Sequence, residues 1–283
     1  MRERGPLSVF APLPLADGGQ LPISRLLVMG ILNATPDSFS DGGELDDPAA
    51  RDARVETLLA AGVDLIDIGG ESTRPGHTPV PAEEETRRVL PVIDAVRQRD
   101  QHIPISIDTR KAAVARAALA AGASLVNDVS TLSDPGMGEV VGEFACAYIG
   151  MRSADCVDPI VDSCRRQLED LMVRAEAAGI PASNIVLDPG LGFGARPGPS
   201  VEDNLALVDS VSDYALDRPV LIGASRKRFV LALVGGDPRR RVEGSVAVAV
   251  RAARAGASIV RVHDAEETVV GLAEAGLRPR TTG

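Results

Sequence analysis

Acidic and amide side chains recur at the ends of short apolar segments in this 283-residue chain. Asp67, Asp108, Asn127 and Asp188 each close such a segment. A carboxylate can accept two parallel hydrogen bonds from a planar ligand edge that is rich in N–H donors, such as a 2-amino-4-oxopyrimidine. A single aspartate in this position is more often the N-cap of the next helix. Their recurrence at several segment ends favours a shared ligand site.

The last two apolar segments, 219–224 and 258–262, are followed by or end in basic residues. Cations at these ends predict an anion site of the phosphate-binding kind, and a helix that begins at 225–228 would add the anion affinity of its N-terminus. The alternative is that the basic residues at 225–228 lie in a solvent-exposed first turn of a helix. This interpretation is weaker because basic residues also lie at the end of segment 258–262. The candidate residues of this site are Ser225, Arg226, Lys227, Arg261, Val262 and His263.

The apolar segments alternate with amphipathic, alanine-rich stretches. Glycine follows four of these stretches, as expected where a helix ends in a left-handed residue. Eight such repeats in one chain predict a single-domain α/β fold, the (β/α)8 TIM barrel, whose active site lies at the carboxyl ends of the strands. A doubly wound sheet is the alternative, and its dinucleotide-binding form lacks its GxGxxG motif here. The predicted strands are 26–32, 65–70, 104–108, 124–128, 146–151, 184–188, 219–224 and 258–262, and predicted helices include 47–61, 82–98, 111–121, 160–178, 201–214 and 239–255.

Composition narrows the class of protein further. The formal net charge of −10 argues against a general nucleic-acid or membrane-surface binder, and three sparse cysteines without a CxxC pair argue against a disulfide or metal framework. Residues 1–25 are proline-rich and aperiodic, so we expect an N-terminal extension that stays outside the barrel core of 26–283. We find no signal-peptide or membrane-span pattern, and we expect a cytoplasmic enzyme.

Two long polar segments follow the first two predicted strands. Residues 33–43 read NATPDSFSDGG and residues 69–79 read GGESTRPGHTP. Long loops at the catalytic face of a barrel often act as lids, although mobile surface connections are the simpler interpretation of any one of them. Because each begins at a polar strand end, we predict that both take part in the site.

Seven motifs resemble the dihydropteroate synthase family and occur in that family's order. They span nearly all of residues 26–264. The resemblance implies a (β/α)8 barrel that joins a dihydropterin pyrophosphate to p-aminobenzoate in folate synthesis. The motifs are GILNATPDSFSDGG at 30–43, DIGGESTRPG at 67–76, SIDTRKAAVARAAL at 106–119, VNDVS at 126–130, LDPGLGFG at 187–194, GASRKRF at 223–229 and RVHD at 261–264.

The resemblance also implies roles for individual residues. Asp108, Asn127 and Asp188 would hold the pterin ring, with Lys227 along it. Arg261 and His263, together with Asn33 and a Mg²⁺ ion, would bind the pyrophosphate. The residues implied near the p-aminobenzoate position are Thr73, Arg74, Pro75, Phe193 and Ser225. The partners implied are the two small-molecule substrates and a second copy of the chain in a homodimer, with no nucleic acid and no membrane.

The mechanism implied is displacement of pyrophosphate without a covalent enzyme intermediate. Mg²⁺, Arg261 and His263 would neutralise the leaving group, Asp108 would stabilise a delocalised pterin cation, and the neutral arylamine would attack it. Catalytic roles therefore fall to Asp108, Lys227, Arg261 and His263.

One departure from the family pattern follows the fifth predicted strand, where Ile149 and Gly150 replace the usual Met-His. Ile149 can still pack against a ring face, and we expect the missing histidine to remove a polar group from the pocket floor. Two alternatives remain open. One is a pterin-binding paralogue without synthase activity; the other is a pterin-dependent methyltransferase, which would not need the basic cluster.

Overall fold

A computed structural model describes residues 10–35, 47–72, 78–152, 157–194 and 199–278. Eight parallel strands form one sheet in which neighbours along the chain pair and the first strand also pairs with the last. A parallel bridge between Leu187 and Val220 joins the two outermost strands of this sheet. The predicted (β/α)8 barrel is therefore confirmed, and the doubly wound sheet is excluded. The strands are β3 (Leu27–Asn33), β4 (Leu65–Gly69), β5 (Ile105–Asp108), β6 (Leu125–Asp128), β7 (Tyr148–Met151), β8 (Ile185–Asp188), β9 (Leu221–Ile222) and β10 (Ile259–Val262).

Helices surround this sheet and follow the predicted stretches closely. The stretch 201–214 is divided into two helices, and a helix between β6 and β7 was not among those predicted. The helices are α1 (Pro48–Ala60), α2 (Ala82–Arg99), α3 (Ala112–Ala120), α4 (Met137–Glu143), α5 (Ile160–Ala177), α6 (Val201–Asp209), α7 (Val211–Tyr214), α8 (Arg241–Arg254) and α9 (Ala265–Glu274). Short 3-10 helices span Ala182–Asn184, Arg228–Val234 and Pro238–Arg240.

The hydrophobic core has two layers because neighbouring residues of a strand face opposite sides of the sheet. The outer layer packs the helices against the sheet, and residues such as Ile107, Val126 and Val260 belong to it. The inner layer fills the barrel with residues such as Met29 and Leu125. This alternation decides which strand residues can reach the barrel axis and which cannot.

Residues near the N-terminus close the lower end of the barrel. Two short antiparallel strands, β1 (Leu13–Pro14) and β2 (Gln20–Leu21), form a hairpin there. Leu13, Leu15, Leu21 and Ile23 are at most 6% exposed and join the inner core layer. The expectation that residues 1–25 stay outside the barrel core is wrong for this stretch, because the open barrel end presents apolar side chains that need a cover.

Candidate active site

An arginine lies at the centre of the upper barrel end. From β10, Arg261 donates from Nε to Asp67 Oδ2 at 2.5 Å and from Nη2 to Asp108 Oδ2 at 2.6 Å. The amide of Asn127 donates to both carboxylate oxygens of Asp67 at 3.3 Å. Residues from four strands, β4, β5, β6 and β10, are thus brought together as the alternation predicts. The side chains of both aspartates and of Asn127 are more than nine-tenths buried.

Burial sets the protonation of this group. It raises the pKa of Asp108 to about 7, although the positive charge of Arg261 opposes that rise and the nearby Asp67 adds to it. Burial alone would lower the pKa of Arg261, but the charges of Asp67 and Asp108 outweigh it, so the pKa lies above the usual value. The arginine therefore stays charged while Asp108 titrates near neutral pH.

Asp188 and Lys227 form a second polar pair on the neighbouring side of the opening. Burial raises the pKa of Asp188, and the charge of Lys227 opposes the rise. Burial lowers the pKa of Lys227 to about 8. The lysine ammonium donates to the carbonyl oxygen of Leu191 and lies 4.7 Å from the centroid of the Phe193 ring. These contacts hold the ammonium near enough to Asp188 for the charge of each group to affect the pKa of the other.

Glycine is required at one position along the path of this lysine. Gly192 has φ +70°, and a Cβ there would lie 3.2 Å from Cδ of Lys227. Any other residue would combine a left-handed backbone with a crowded contact. The LDPGLGFG motif therefore lets a lysine side chain pass over the loop after β8.

The basic end of the site is built around His263. Its backbone N–H donates to Ser225 Oγ at 3.1 Å, and its Nδ1 lies 3.3 Å from the same oxygen. From α1, Arg54 donates to the His263 carbonyl oxygen at 3.2 Å. Burial, followed by the positive charge of Arg226, lowers the pKa of Arg54. Positive charge thus accumulates behind the histidine, as an anion site requires.

Two details of this end differ from the sequence-based expectation. Arg226 has a left-handed backbone (φ +59°) and pairs with Asp264, so its guanidinium is engaged at the rim. The segment after Lys227 is a 3-10 helix, Arg228–Val234, and Lys227 makes no side-chain cap. The helix that was predicted to begin at 225–228 is therefore a 3-10 helix that begins at Arg228.

The remaining predicted residues are distributed unevenly. Asn33 ends β3 beside Gly69, where a Cβ at residue 69 would lie 3.7 Å from Asn33 Oδ1. Ile149 is fully buried in the inner core layer, level with Asn127, and Phe193 is half-buried. The side chain of Val262 packs in the outer layer of the core. Thr73, Arg74 and Pro75 lie outside the described residues.

The structure overturns the expected consequence of Gly150. A Cβ at residue 150 would meet Tyr148 Cε1 at 2.7 Å and Leu171 Cδ2 at 2.9 Å, so this position faces α5 and not the barrel interior. The Tyr148 ring fills that space, and its hydroxyl donates to Asp128 Oδ2 at 2.9 Å. The missing histidine therefore removes no group from the pocket floor.

Sequence reasoning missed two arginines. Arg54 lies on a helix with no motif to distinguish it. Arg152 directly follows the predicted strand 146–151 and is fully buried. Its position after a strand end was a signal that could have been used, because the active site of this fold lies at the carboxyl ends of the strands.

Similarity to known proteins agrees with this geometry. Residues 29–263 match the family described as pterin binding enzyme. Escherichia coli dihydropteroate synthase is 39% identical over 264 residues, which are 90% of this chain and 92% of that protein. A Xanthomonas albilineans dihydropteroate synthase solved with 4-aminobenzoic acid has a TM-score of 0.83 at 43% identity, covering 93% of this chain and 97% of that one. The chain belongs to the pterin-binding enzyme family, and the branch of that family it matches is the dihydropteroate synthases.

A more similar archaeal relative is considerably longer. A Haloferax volcanii protein, described as a probable bifunctional folylpolyglutamate synthase/dihydropteroate synthase, is 46% identical over 252 residues. The chain spans 29% of that relative's length.

Proposed function

We propose that this protein is a dihydropteroate synthase, a transferase of folate biosynthesis. It condenses 6-hydroxymethyl-7,8-dihydropterin pyrophosphate with p-aminobenzoate to give 7,8-dihydropteroate and pyrophosphate. The observation that carries the proposal is the placement of Arg261 between buried carboxylates at the barrel axis, with Asp188 and Lys227 on one side and His263 at the rim. A dihydropteroate synthase from Xanthomonas albilineans solved with 7,8-dihydropteroate has a TM-score of 0.81 to this chain, which supports the substrate assignment.

The pterin end of the substrate would bind to the buried acids. Asp188 and Asp108 accept hydrogen bonds, and Asn127 both donates and accepts, so together they suit the mixed donor and acceptor edge of a pterin. All three side chains are buried, so each hydrogen bond to the ligand would form away from bulk water. This placement orients the methylene carbon of the substrate towards the rim.

The pyrophosphate end would lie against Arg261 and His263. In the reaction, the bond between the methylene carbon and the oxygen that joins it to the pyrophosphate breaks. The electron pair of that bond leaves with pyrophosphate. Cationic side chains stabilise that developing charge. The nitrogen of p-aminobenzoate forms the new bond to the methylene carbon and loses a proton. Asp108, which accepts a hydrogen bond from Arg261, would stabilise positive charge on the pterin while the arginine binds the leaving group.

Mg²⁺ is part of this proposal. Within the described ranges, no group of three or more histidine, cysteine or acidic residues is arranged to hold a metal. Asn33 would supply one oxygen ligand, and the substrate's phosphates and water would supply the others, which is the usual manner of Mg²⁺ binding. When bound, the ion would neutralise charge on the leaving pyrophosphate.

Two further assignments remain proposals. No helix in the described part of the chain is long and apolar enough to span a membrane. We also propose a cytoplasmic location, which cell fractionation would test. The homodimer rests on the family resemblance, and sedimentation analysis of the purified chain would test it.

The rival functions now have less support. The non-catalytic paralogue rested on the change at 149–150, and residue 150 faces the helices. A pterin-dependent methyltransferase would not need the basic cluster of Lys227, Arg261 and His263.

The direct test is to mix the purified protein with both substrates and measure pyrophosphate and dihydropteroate. Asp188→Asn keeps the shape of the side chain but replaces an acceptor with donors, and we expect it to weaken pterin binding by roughly 2–4 kcal/mol. Omitting either substrate is the control. Pterin binding without pyrophosphate release would identify a non-catalytic binder and overturn the proposal.

A further inference from the structure

Arg152 organises the loop after β8 from a fully buried position. Its backbone N–H donates to the Asp188 carbonyl oxygen at 3.0 Å, which continues the pairing of β7 with β8. Its guanidinium donates from Nε to the Pro189 carbonyl oxygen at 2.5 Å, and from Nη2 to those of Gly190 and Phe193 at 3.3 and 3.5 Å. A planar guanidinium has five N–H donors in a fixed fork, so one side chain can hold several carbonyls at once.

The same loop is held from two other sides. The Gly190 N–H donates to Asp188 Oδ1 at 2.7 Å, and the Gly192 N–H donates to Asn204 Oδ1 at 2.7 Å. Asn204 lies on α6 and is 2% exposed. The loop is therefore fixed by the site itself, by a neighbouring helix and by Arg152.

This loop supplies the groups that contact Lys227. The ammonium donates to the Leu191 carbonyl oxygen and lies over the Phe193 ring, and the carbonyls that Arg152 holds belong to residues 189, 190 and 193. A continuous set of contacts thus runs from the end of β7 through the loop to the lysine.

We propose that Arg152 is a positioning residue: it fixes the backbone of residues 189–193 so that the Leu191 carbonyl and the Phe193 ring hold the Lys227 ammonium near Asp188. The inference deepens the proposed function and rests on it only for the identity of the ligand. Arg152 touches no reacting atom and acts through Lys227.

A half-buried arginine at the other end of the barrel offers a control. Arg97 on α2 donates to the carbonyl oxygens of Gly122 and Ile103, at 2.8 and 2.7 Å. Those carbonyls precede β6 and β5, so they lie at the amino ends of the strands. Arg97→Gln removes the same kind of contact far from the ligand opening.

The first measurement is the dissociation constant of the pterin pyrophosphate by calorimetry. Arg152→Gln should weaken binding about tenfold, and Arg152→Lys should recover part of the loss because it keeps the charge and can still reach a carbonyl. Arg97→Gln should lower the melting temperature and leave the dissociation constant unchanged. Equal dissociation constants in the wild type and both Arg152 variants, at temperatures where all are folded, would overturn the inference.

A double-mutant cycle separates positioning from general stability. If Arg152 acts through Lys227, Arg152→Gln should have little further effect on binding in a Lys227→Ala background. Fully additive losses would show that Arg152 does not act through the lysine. Where Arg152→Gln fails to fold, Arg152→Lys carries the same cycle.

Measurements on the wild type separate a failure of this inference from a failure of the proposed function. A wild type that binds the pterin but forms no dihydropteroate refutes the synthase, and the binding cycle still decides the role of Arg152. An active wild type with additive losses refutes only the positioning role.

Discussion

Two ionisable residues of this site have pKa values that are shifted by burial in the fold. Asp108 lies in a buried cluster whose burial raises its pKa to about 7, and Lys227 has a pKa lowered to about 8 by the same cause. Both groups would be charged in water at neutral pH, so the protein bears a desolvation cost to place them there. Such costs are typical of residues that are kept for a ligand.

The pH dependence of the free energy of unfolding should reveal the desolvation cost of burying Asp108. When folding raises the pKa of a carboxyl group, its contribution to the free energy of unfolding is fully present below the unfolded pKa of about 4. That contribution is lost as the pH rises from there through the folded pKa of about 7. Asp108→Asn removes this dependence. The free energy of unfolding of the variant, minus that of the wild type, should therefore increase by about 2 kcal/mol from pH 5 to pH 8. Urea unfolding at both pH values measures it.

The control for this comparison is Asp170→Asn, which removes an exposed carboxylate on α5. Its difference from the wild type should be the same at the two pH values. A constant difference for Asp108→Asn as well would mean that Asp108 is ionised throughout this range.

The pH dependence of kcat/KM should reveal Lys227. The profile in kcat/KM reports groups of the free enzyme. We expect a decline above about pH 8 as the ammonium loses its proton, in an environment set by burial and by the charges of Asp188, Arg261 and Arg152. Lys227→Arg should lower activity but remove this alkaline decline, because arginine does not titrate there. An unchanged alkaline decline in the variant would assign it to another group.

At the scale of elements, the strand alternation separates the site from its support. In β10 Arg261 faces the barrel axis, while Val262 faces the helices. In β7 Ile149 faces inward, while Gly150 faces α5 and leaves room for Tyr148. The period of two thus explains why one residue of each pair belongs to the pocket and the other does not.

The hairpin of β1 and β2 supports the barrel without taking part in the site. Its backbone joins the strand starts, since the Ala147 N–H donates to the Pro14 carbonyl oxygen at 2.8 Å. Leu21→Ala should lower the free energy of unfolding by roughly 2–4 kcal/mol because it empties part of the inner core layer. It should leave kcat/KM unchanged at temperatures where the variant is folded. Thermal unfolding and steady-state kinetics measure the two effects.

Gln20→Ala is the control for the hairpin, because Gln20 is the exposed neighbour in the same strand. It should change neither stability nor kinetics. A loss of kcat/KM in folded Leu21→Ala would show that the floor of the barrel is coupled to the opposite end.

At the scale of the whole molecule, the sequence predicts the barrel well because its eight short apolar segments and glycine helix ends repeat. It also predicts the polar strand ends, since Asp67, Asp108 and Asn127 do meet around Arg261. It does not predict the hairpin of β1 and β2, because these strands are too short to show a recognisable hydrophobic period. Contacts that depend on side-chain direction, such as Arg226 with Asp264, are also beyond a pattern of residue types.

The whole site is an opening with buried acids and Arg261 at depth and His263 at the rim, and its few metal-ligating groups imply an order of binding. Within the described residues, Asn33 has no cluster of acids around it that would hold Mg²⁺ alone. The ion should therefore bind together with the pterin pyrophosphate and not before it. Calorimetry should show weak Mg²⁺ binding to the free protein and strong binding when the pyrophosphate substrate is present.

Metal removal then gives the sharpest test of this order. Excess chelator should abolish dihydropteroate formation, while pterin without the pyrophosphate still binds through Asp108, Asn127 and Asp188. If the pterin cation forms first, p-aminobenzoate should bind well only after pyrophosphate occupies its site. Full activity in excess chelator would contradict the metal's role. Tight binding of p-aminobenzoate to the free protein would contradict the order and favour direct displacement, in which the arylamine attacks before the leaving group departs.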